Sequence, residues 1–154
     1  MNPIRLMMFE PAHALALALG PKAEASLRQL DDLPALAGRY ALAGPAWTLL
    51  LGATPAACGG VVRFWSGVGE LWCWTGLDAG RAAVAFARHA RVLFAALLRP
   101  GGGFHRLQAH VREDDMQARG FAEFLGLARE GRCPGYGPDG ATHLTYGRYR
   151  EWKA

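Results

Sequence analysis

An alternating stretch that runs straight into a helical stripe, within residues 105–127, limits what this chain can fold into more than any other segment. From His105 to Val111, Arg106, Gln108 and His110 fall on one side and Leu107, Ala109 and Val111 on the other, as in a half-buried strand. A helix follows. Asp115 is an N-cap residue, and Asp114 adds negative charge at the positive end of the helix dipole. Ala118, Phe121, Ala122 and Leu125 recur at i, i+3, i+4 and i+7, one apolar stripe on a helix of about three turns. Gly126 can take the left-handed conformation that ends a helix, and Leu127 starts another extended run.

The rest of the chain alternates between the same two textures. Residues 3–9 read as a strand, and the proline of Glu10-Pro11 suits the first turn of a helix over 12–19. Pro21 opens a second helix with Ala23, Leu27 and Leu30 on one face, and Pro34 a third through Leu42, closed by Gly44-Pro45. Residues 47–51, 57–64 and 70–75 are β-rich runs separated by the turn-forming stretches 52–55 and 66–69, which predicts a three-stranded antiparallel meander. Gly59 and Gly60 inside the second run point to a bulge or a close backbone approach. Residues 81–98 predict a largely buried helix, with Val84, Ala87, Arg88, Arg91, Phe94, Ala95 and Leu98 along one side, ended by Pro100 and Gly101 to Gly103. After the organising helix, 127–133 and 141–149 read as two strands joined through an Asp139-Gly140 turn.

This order predicts one mixed α/β (α+β) domain over residues 1–154. Its central sheet has about six to seven strands, mostly antiparallel around one parallel pair, and helices flank it. With 51% apolar and 19% charged residues the chain is of globular composition. Its longest mostly apolar run, 82–98, is broken by Arg88, His89 and Arg91 and does not make a membrane span, and 1–19 does not read as a signal peptide. Three cysteines without metal-ligand spacing read as free thiols in a reducing cytoplasm. The formal charge of +4 suits a polyanionic ligand without requiring one, and the basic turn Arg88, His89 and Arg91 lacks the exposed aromatics of a nucleic-acid surface.

The run from Asp115 through Leu127, followed by Glu130-Gly131, resembles the C-terminal half of the GCN5-related N-acetyltransferase (GNAT) superfamily. There the usual pattern is Asn-x-x-Ala-x-x-Phe-Tyr-Glu-x-Leu-Gly-Phe, then Glu-Gly. Ala118, Phe121, Glu123, Leu125 and Gly126 match, while Asp115, Ala122 and Leu127 stand for the Asn, the Tyr and the last Phe. Cys58-Gly59-Gly60-Val61, the stretch from Trp65 to Trp72, Tyr136 to Gly140 and Tyr146-Gly147-Arg148 look like a branch met in tailed phages and prophages. The resemblance covers 46–149 and leaves the acceptor-side segment 1–45 without a match.

The resemblance implies an N-acetyltransferase that moves an acetyl group from acetyl-CoA to an amine, in the cytoplasm of a host cell. For a phage-type branch it also implies an alternative, a silent virion component whose partners are virion proteins or a second copy of the chain. Family members hold the cofactor's pyrophosphate on backbone N–H groups opening the long helix, where unpaired donors and the helix dipole favour an anion. The corresponding residues are Thr75, Gly76, Gly80, Arg81 and Ala82, with Leu77 departing from the pattern and Asp78 adding an unfavourable charge. By its residues alone the same loop is equally a plain helix cap by Asp78. The resemblance makes Glu70 the base that takes the amine proton, although a carboxylate there reads as well as a solvated strand-end charge. Ala122 has no proton to give, so Tyr136, Tyr146 or water must act as the acid. Trp72 and Trp74 share a face and read as core packing, with Trp65 on the rim. His105 and His110 do not have the pattern of a metal pair, and Cys58 reads as a small buried residue.

Overall fold

Seven strands hydrogen-bond in the order β1-β2-β3-β4-β5-β7-β6 in a computed structural model, which describes residues 2–28 and 32–150. They are β1 (Ile4–Met8), β2 (Ala46–Leu51), β3 (Thr54–Trp65), β4 (Gly67–Thr75), β5 (Phe104–Arg112), β6 (Ala128–Cys133) and β7 (His143–Tyr149). The helices are α1 (Pro11–Leu15), α2 (Pro21–Arg28), α3 (Leu33–Ala43), α4 (Ala83–Leu98) and α5 (Met116–Phe124), with a 3-10 turn, Leu77–Ala82, leading into α4. The β1–β2, β2–β3, β5–β7 and β6–β7 pairs are antiparallel and β4–β5 is parallel, the mixed sheet that the element order predicts. By its contacts the chain divides into two compact units, one of residues up to Val62 with Trp72–Phe86, the other of Arg63–Leu71 with the residues from Ala87 on.

In the first unit the predicted helix over 12–19 is shorter, ending at Leu15. The Leu77 N–H donates to the Ala18 carbonyl at 2.7 Å and Leu19 bridges Gly76, so both residues are drawn out of a helical path. Leu27 of α2 is buried as predicted, whereas Leu30 lies outside the described residues. Strand β3 begins at Thr54, because the β2–β3 turn needs only Gly52 and Ala53. The glycine pair marks a close approach. A Cβ on Gly60 would lie 2.5 Å from the Pro45 carbonyl oxygen, and the register shift sits elsewhere, between Leu49 and Leu50. Phe9, Tyr40, Trp72 and Trp74 pack ring on ring, with Trp72 and Trp74 centroids 4.7 Å apart, against a core that includes Ala14, Leu17, Ala37 and Cys58.

The second unit is built on β5. Its alternation stands in the middle of the strand: Leu107 and Ala109 are buried and Val111 half-buried, while Arg106, Gln108 and His110 project to the other face. Helix α5 packs on β5. Asp115 caps it, its Oδ1 accepting the Ala118 N–H at 2.9 Å. At the other end Gly126 has φ +86° while Leu127 and Gly126 donate to the Ala122 and Glu123 carbonyls, the paired bonds of a Schellman stop. Ala122 and Leu125 are buried as the stripe predicts. The expected turn 66–69 shrinks to Ser66, since Gly67 at φ +80° already begins β4. Strands one residue apart and adjacent in the sheet form a hairpin, which completes the meander.

Helix α4 corrects the reading of residues 81–98 as largely buried. Residues 77–82 form a 3-10 turn, and within Ala83–Leu98 only Ala90, Phe94 and Leu98 are buried. Val84, Arg88 and Arg91, placed on the packed side by sequence, are exposed, as is Val92. The true stripe follows i, i+4 and i+8. In a helix this rich in alanine and leucine, several stripes have similar hydrophobicity, so periodicity does not select one.

Candidate active site

Glu70 does not sit as a solvated strand-end charge. It is the fourth residue of β4 and the last one paired with β5, opposite Gln108. The side chain is 18% exposed, and its Oε1 accepts two hydrogen bonds from one residue, the His110 main-chain N–H at 3.1 Å and ring Nδ1 at 2.6 Å. Its Oε2 is buried and has no hydrogen-bond partner among the described residues. His110 in turn lies flat against Tyr136, ring centroids 4.3 Å apart with 10° between planes, and Tyr136 meets His143 at 5.2 Å.

The loop between β6 and β7 is what brings Tyr136 there. Arg112 of β5 bonds Asp139 at 2.6 Å and also holds Asp114, the Gly137 N–H donates to the Ala141 carbonyl, and Asp139 accepts the Ala141 N–H. Beside the Arg112 guanidinium the Asp139 carboxyl is held below its usual range. Glu70 and Tyr136, both picked out by sequence, therefore meet on His110. Sequence reading weighed His110 only as a metal ligand and missed it. The alternation of Arg106, Gln108 and His110 was legible, but the β4–β5 register that aims Glu70 at His110 was not.

Tyr146 is ruled out as a neighbour of this cluster. Register places Ala109 opposite Tyr146 and His110 opposite Thr145, so Tyr146 and His110 project from opposite faces of the sheet. Tyr146 is fully buried and its hydroxyl reaches Glu123 of α5 at 3.4 Å. Ala122 is buried too. Cys58 is inert by environment: burial pushes its thiol up to about 11, against a weaker lowering by its contact with Thr48.

In the first unit, Thr75 closes β4 and Gly76 is the N-cap of the 3-10 turn, in place of Asp78, which falls in the first turn. Two amides at that corner are already engaged, Gly76 with the Ala56 carbonyl at 2.8 Å and Leu77 with that of Ala18. Ala82 is a core residue packed with Leu49 and Ala57. Gly80 and Arg81 are exposed, and nothing lies within 4 Å of where a Gly80 Cβ would be.

Solved structures match nearly the whole chain. A GNAT-family acetyltransferase from Bacillus anthracis superposes with TM-score 0.73 at 12% identity, over 97% of this chain and 96% of its own. The fold is that of the GNAT acetyltransferases. Ard1 from Thermoplasma volcanium aligns with TM-score 0.73 at 14% identity over 95% and 97% of the two chains. The ribosomal L7/L12 alpha-N-protein acetyltransferase RimL, in complex with coenzyme A, aligns with TM-score 0.71 at 14% identity over 95% and 93%. No family model matches the sequence, and no curated protein does. In GNAT terms α5 is the helix that carries the Ala122 departure, and the 3-10 turn opens the helix whose N-terminus the resemblance assigns to the cofactor. No helix among the described residues is long and apolar enough to cross a membrane.

Proposed function

We propose that the chain works as one acyltransferase domain, moving an acyl group from acyl-CoA, with acetyl-CoA as donor, to an amine. The observation that carries this reading is the Glu70 carboxylate, taken out of water on β4 and hydrogen-bonded to a histidine. A half-buried ionisable pair of this kind suits proton transfer better than stability, because desolvating a carboxylate is costly.

The residues present fit the cofactor on one half of the 3-10 turn. Gly76 and Leu77 have spent their N–H groups on Ala56 and Ala18, which leaves the diphosphate to the Arg81 cation beside the open space at Gly80, with Ala82 anchoring the turn to the core. Acyl-CoA, when bound, supplies an activated thioester. Glu70 and its histidine draw the proton from the amine, and Tyr136, 54% exposed and stacked on that histidine, is the hydroxyl that returns one. Titration of acetyl-CoA by calorimetry tests the assignment. Micromolar binding that weakens at least tenfold in Arg81→Glu supports it, since a reversed charge beside a diphosphate costs more than a surface ion pair is worth. No binding at millimolar ligand removes it.

A second reading is favoured by one observation. Buried Ala122 carries no hydroxyl, and Tyr146 faces away from Glu70, as in a protein that has kept the fold and lost the reaction. That protein would be phage or prophage encoded and would assemble with virion proteins or with a second copy of itself.

A further inference from the structure

Three features of the Glu70 site argue against the carboxylate as the atom that meets the amine. Oε1 already accepts two hydrogen bonds from His110. Oε2 is shielded from solvent. The 2.6 Å contact to Nδ1 is the length of a charge-assisted bond, in which the ring nitrogen donates and the carboxylate accepts. A proton on Nδ1 makes the neutral imidazole a base at Nε2, because only one of the two ring nitrogens then carries hydrogen.

We propose that His110 Nε2 is the proton acceptor of the reaction and that Glu70 is its positioning residue; this rests on the acyltransfer reading above. As the new C–N bond forms and the thioester C–S bond breaks, Nε2 takes the proton leaving the amine nitrogen. The sulfur keeps the electron pair of the broken bond and leaves as thiolate. The imidazolium is stabilised by the Glu70 carboxylate it already touches, and the proton then passes to solvent or to the thiolate. Tyr136 covers one face of the ring and limits its rotation, so that both the ring plane and the tautomer are set before substrate arrives.

Among the described residues, these charged and titratable groups surround His110. Glu70 faces it from β4, Tyr136 from the β6–β7 loop, and His143 stands behind Tyr136 on β7. On β5 itself Arg106 is committed to Glu130, and Arg112 to Asp114 and Asp139. On the other face of the sheet, α5 places Glu123 against Tyr146.

The first test needs no acceptor. Nitrogen-15 NMR of the imidazoles in the whole protein should find His110 protonated at Nδ1 and bare at Nε2 at pH 8, and Glu70→Gln should abolish that preference while circular dichroism stays native. A proton on Nε2 in the wild type overturns the proposal. Turnover gives the second test, with thiol release from acetyl-CoA followed in the presence of phenethylamine, or of benzylamine if that is the faster. His110→Gln should lower kcat by about 100-fold or more, leave acetyl-CoA affinity and the amine KM within about twofold, and flatten the acid limb of the pH profile. A His110→Gln enzyme with unchanged kcat sinks the proposal and leaves the acyltransfer reading standing, whereas loss of acetyl-CoA binding by the wild type sinks that reading first.

Discussion

Single atoms decide much of this molecule. Gly60 sits where β3 crosses the start of β2, and a methyl group would come within 2.5 Å of the Pro45 oxygen and 2.6 Å of the Ala46 Cβ. Neither neighbour is a flexible side chain, and Val61 N–H also depends on the Pro45 carbonyl at 2.9 Å. Gly60→Ala should therefore destabilise the fold by about 1–3 kcal/mol, as overpacking does, read from the denaturant midpoint. Gly80→Ala, with open space around it, should leave that midpoint within about 0.5 kcal/mol. Equal effects of the two would contradict the close approach described for β3. The glycine pair was legible in the sequence as a tight spot. Which neighbour made it tight was not, because Pro45 and Gly60 meet only when β2 and β3 pair.

Among the elements, the β6–β7 edge shows how charge holds what hydrophobicity does not. Strand β6 is mostly exposed, and ion pairs tie it across the sheet: Arg106 grips Glu130 through both carboxylate oxygens, and Arg132 does the same to Glu113. Glu130 occupies a register shift in β6, in space that Gly147 leaves open. The guanidinium partners lower the carboxyls of Glu130, Glu113 and Asp139 below their ordinary values. A carboxyl with a lowered folded-state value stabilises the fold above its unfolded value and stops doing so as pH falls through the lowered one. Amide protection of β6 and β7, measured by hydrogen exchange and corrected for intrinsic rates, should hold from neutral pH to about 4.5 and fall below about 4. Protection of β6 that is flat down to pH 2 would mean that these pairs hold nothing. The cap, stripe and stop of α5 were all readable beforehand because each is local. The ion pairs were not, since Arg106 and Glu130 are far apart in sequence and meet through β7.

For the molecule as a whole, the reading as an acyl-CoA enzyme carries a thermodynamic consequence. A ligand that binds only the native chain raises its stability with the logarithm of concentration, by about 2.7 kcal/mol at a hundredfold excess over Kd. The melting temperature should thus climb steadily with acetyl-CoA, and a Tm indifferent to millimolar acetyl-CoA would favour the silent-protein reading. At this scale the sequence was informative about kinds and order. Period-two and period-3.6 patterns, prolines and glycines act over a few residues, so strands, helices and their succession could be read directly, and succession prescribed a mixed sheet with one parallel pair. Helix α4 was misread because its alanines and leucines make several faces alike, and α1 because the pull on Ala18 and Leu19 comes from a corner some sixty residues away. Glu70 and Tyr136 could be named from the sequence, yet not their meeting on His110. That depends on the register between β4 and β5 and on a loop drawn in by Arg112, and contacts between distant parts of a chain exist only once it has folded.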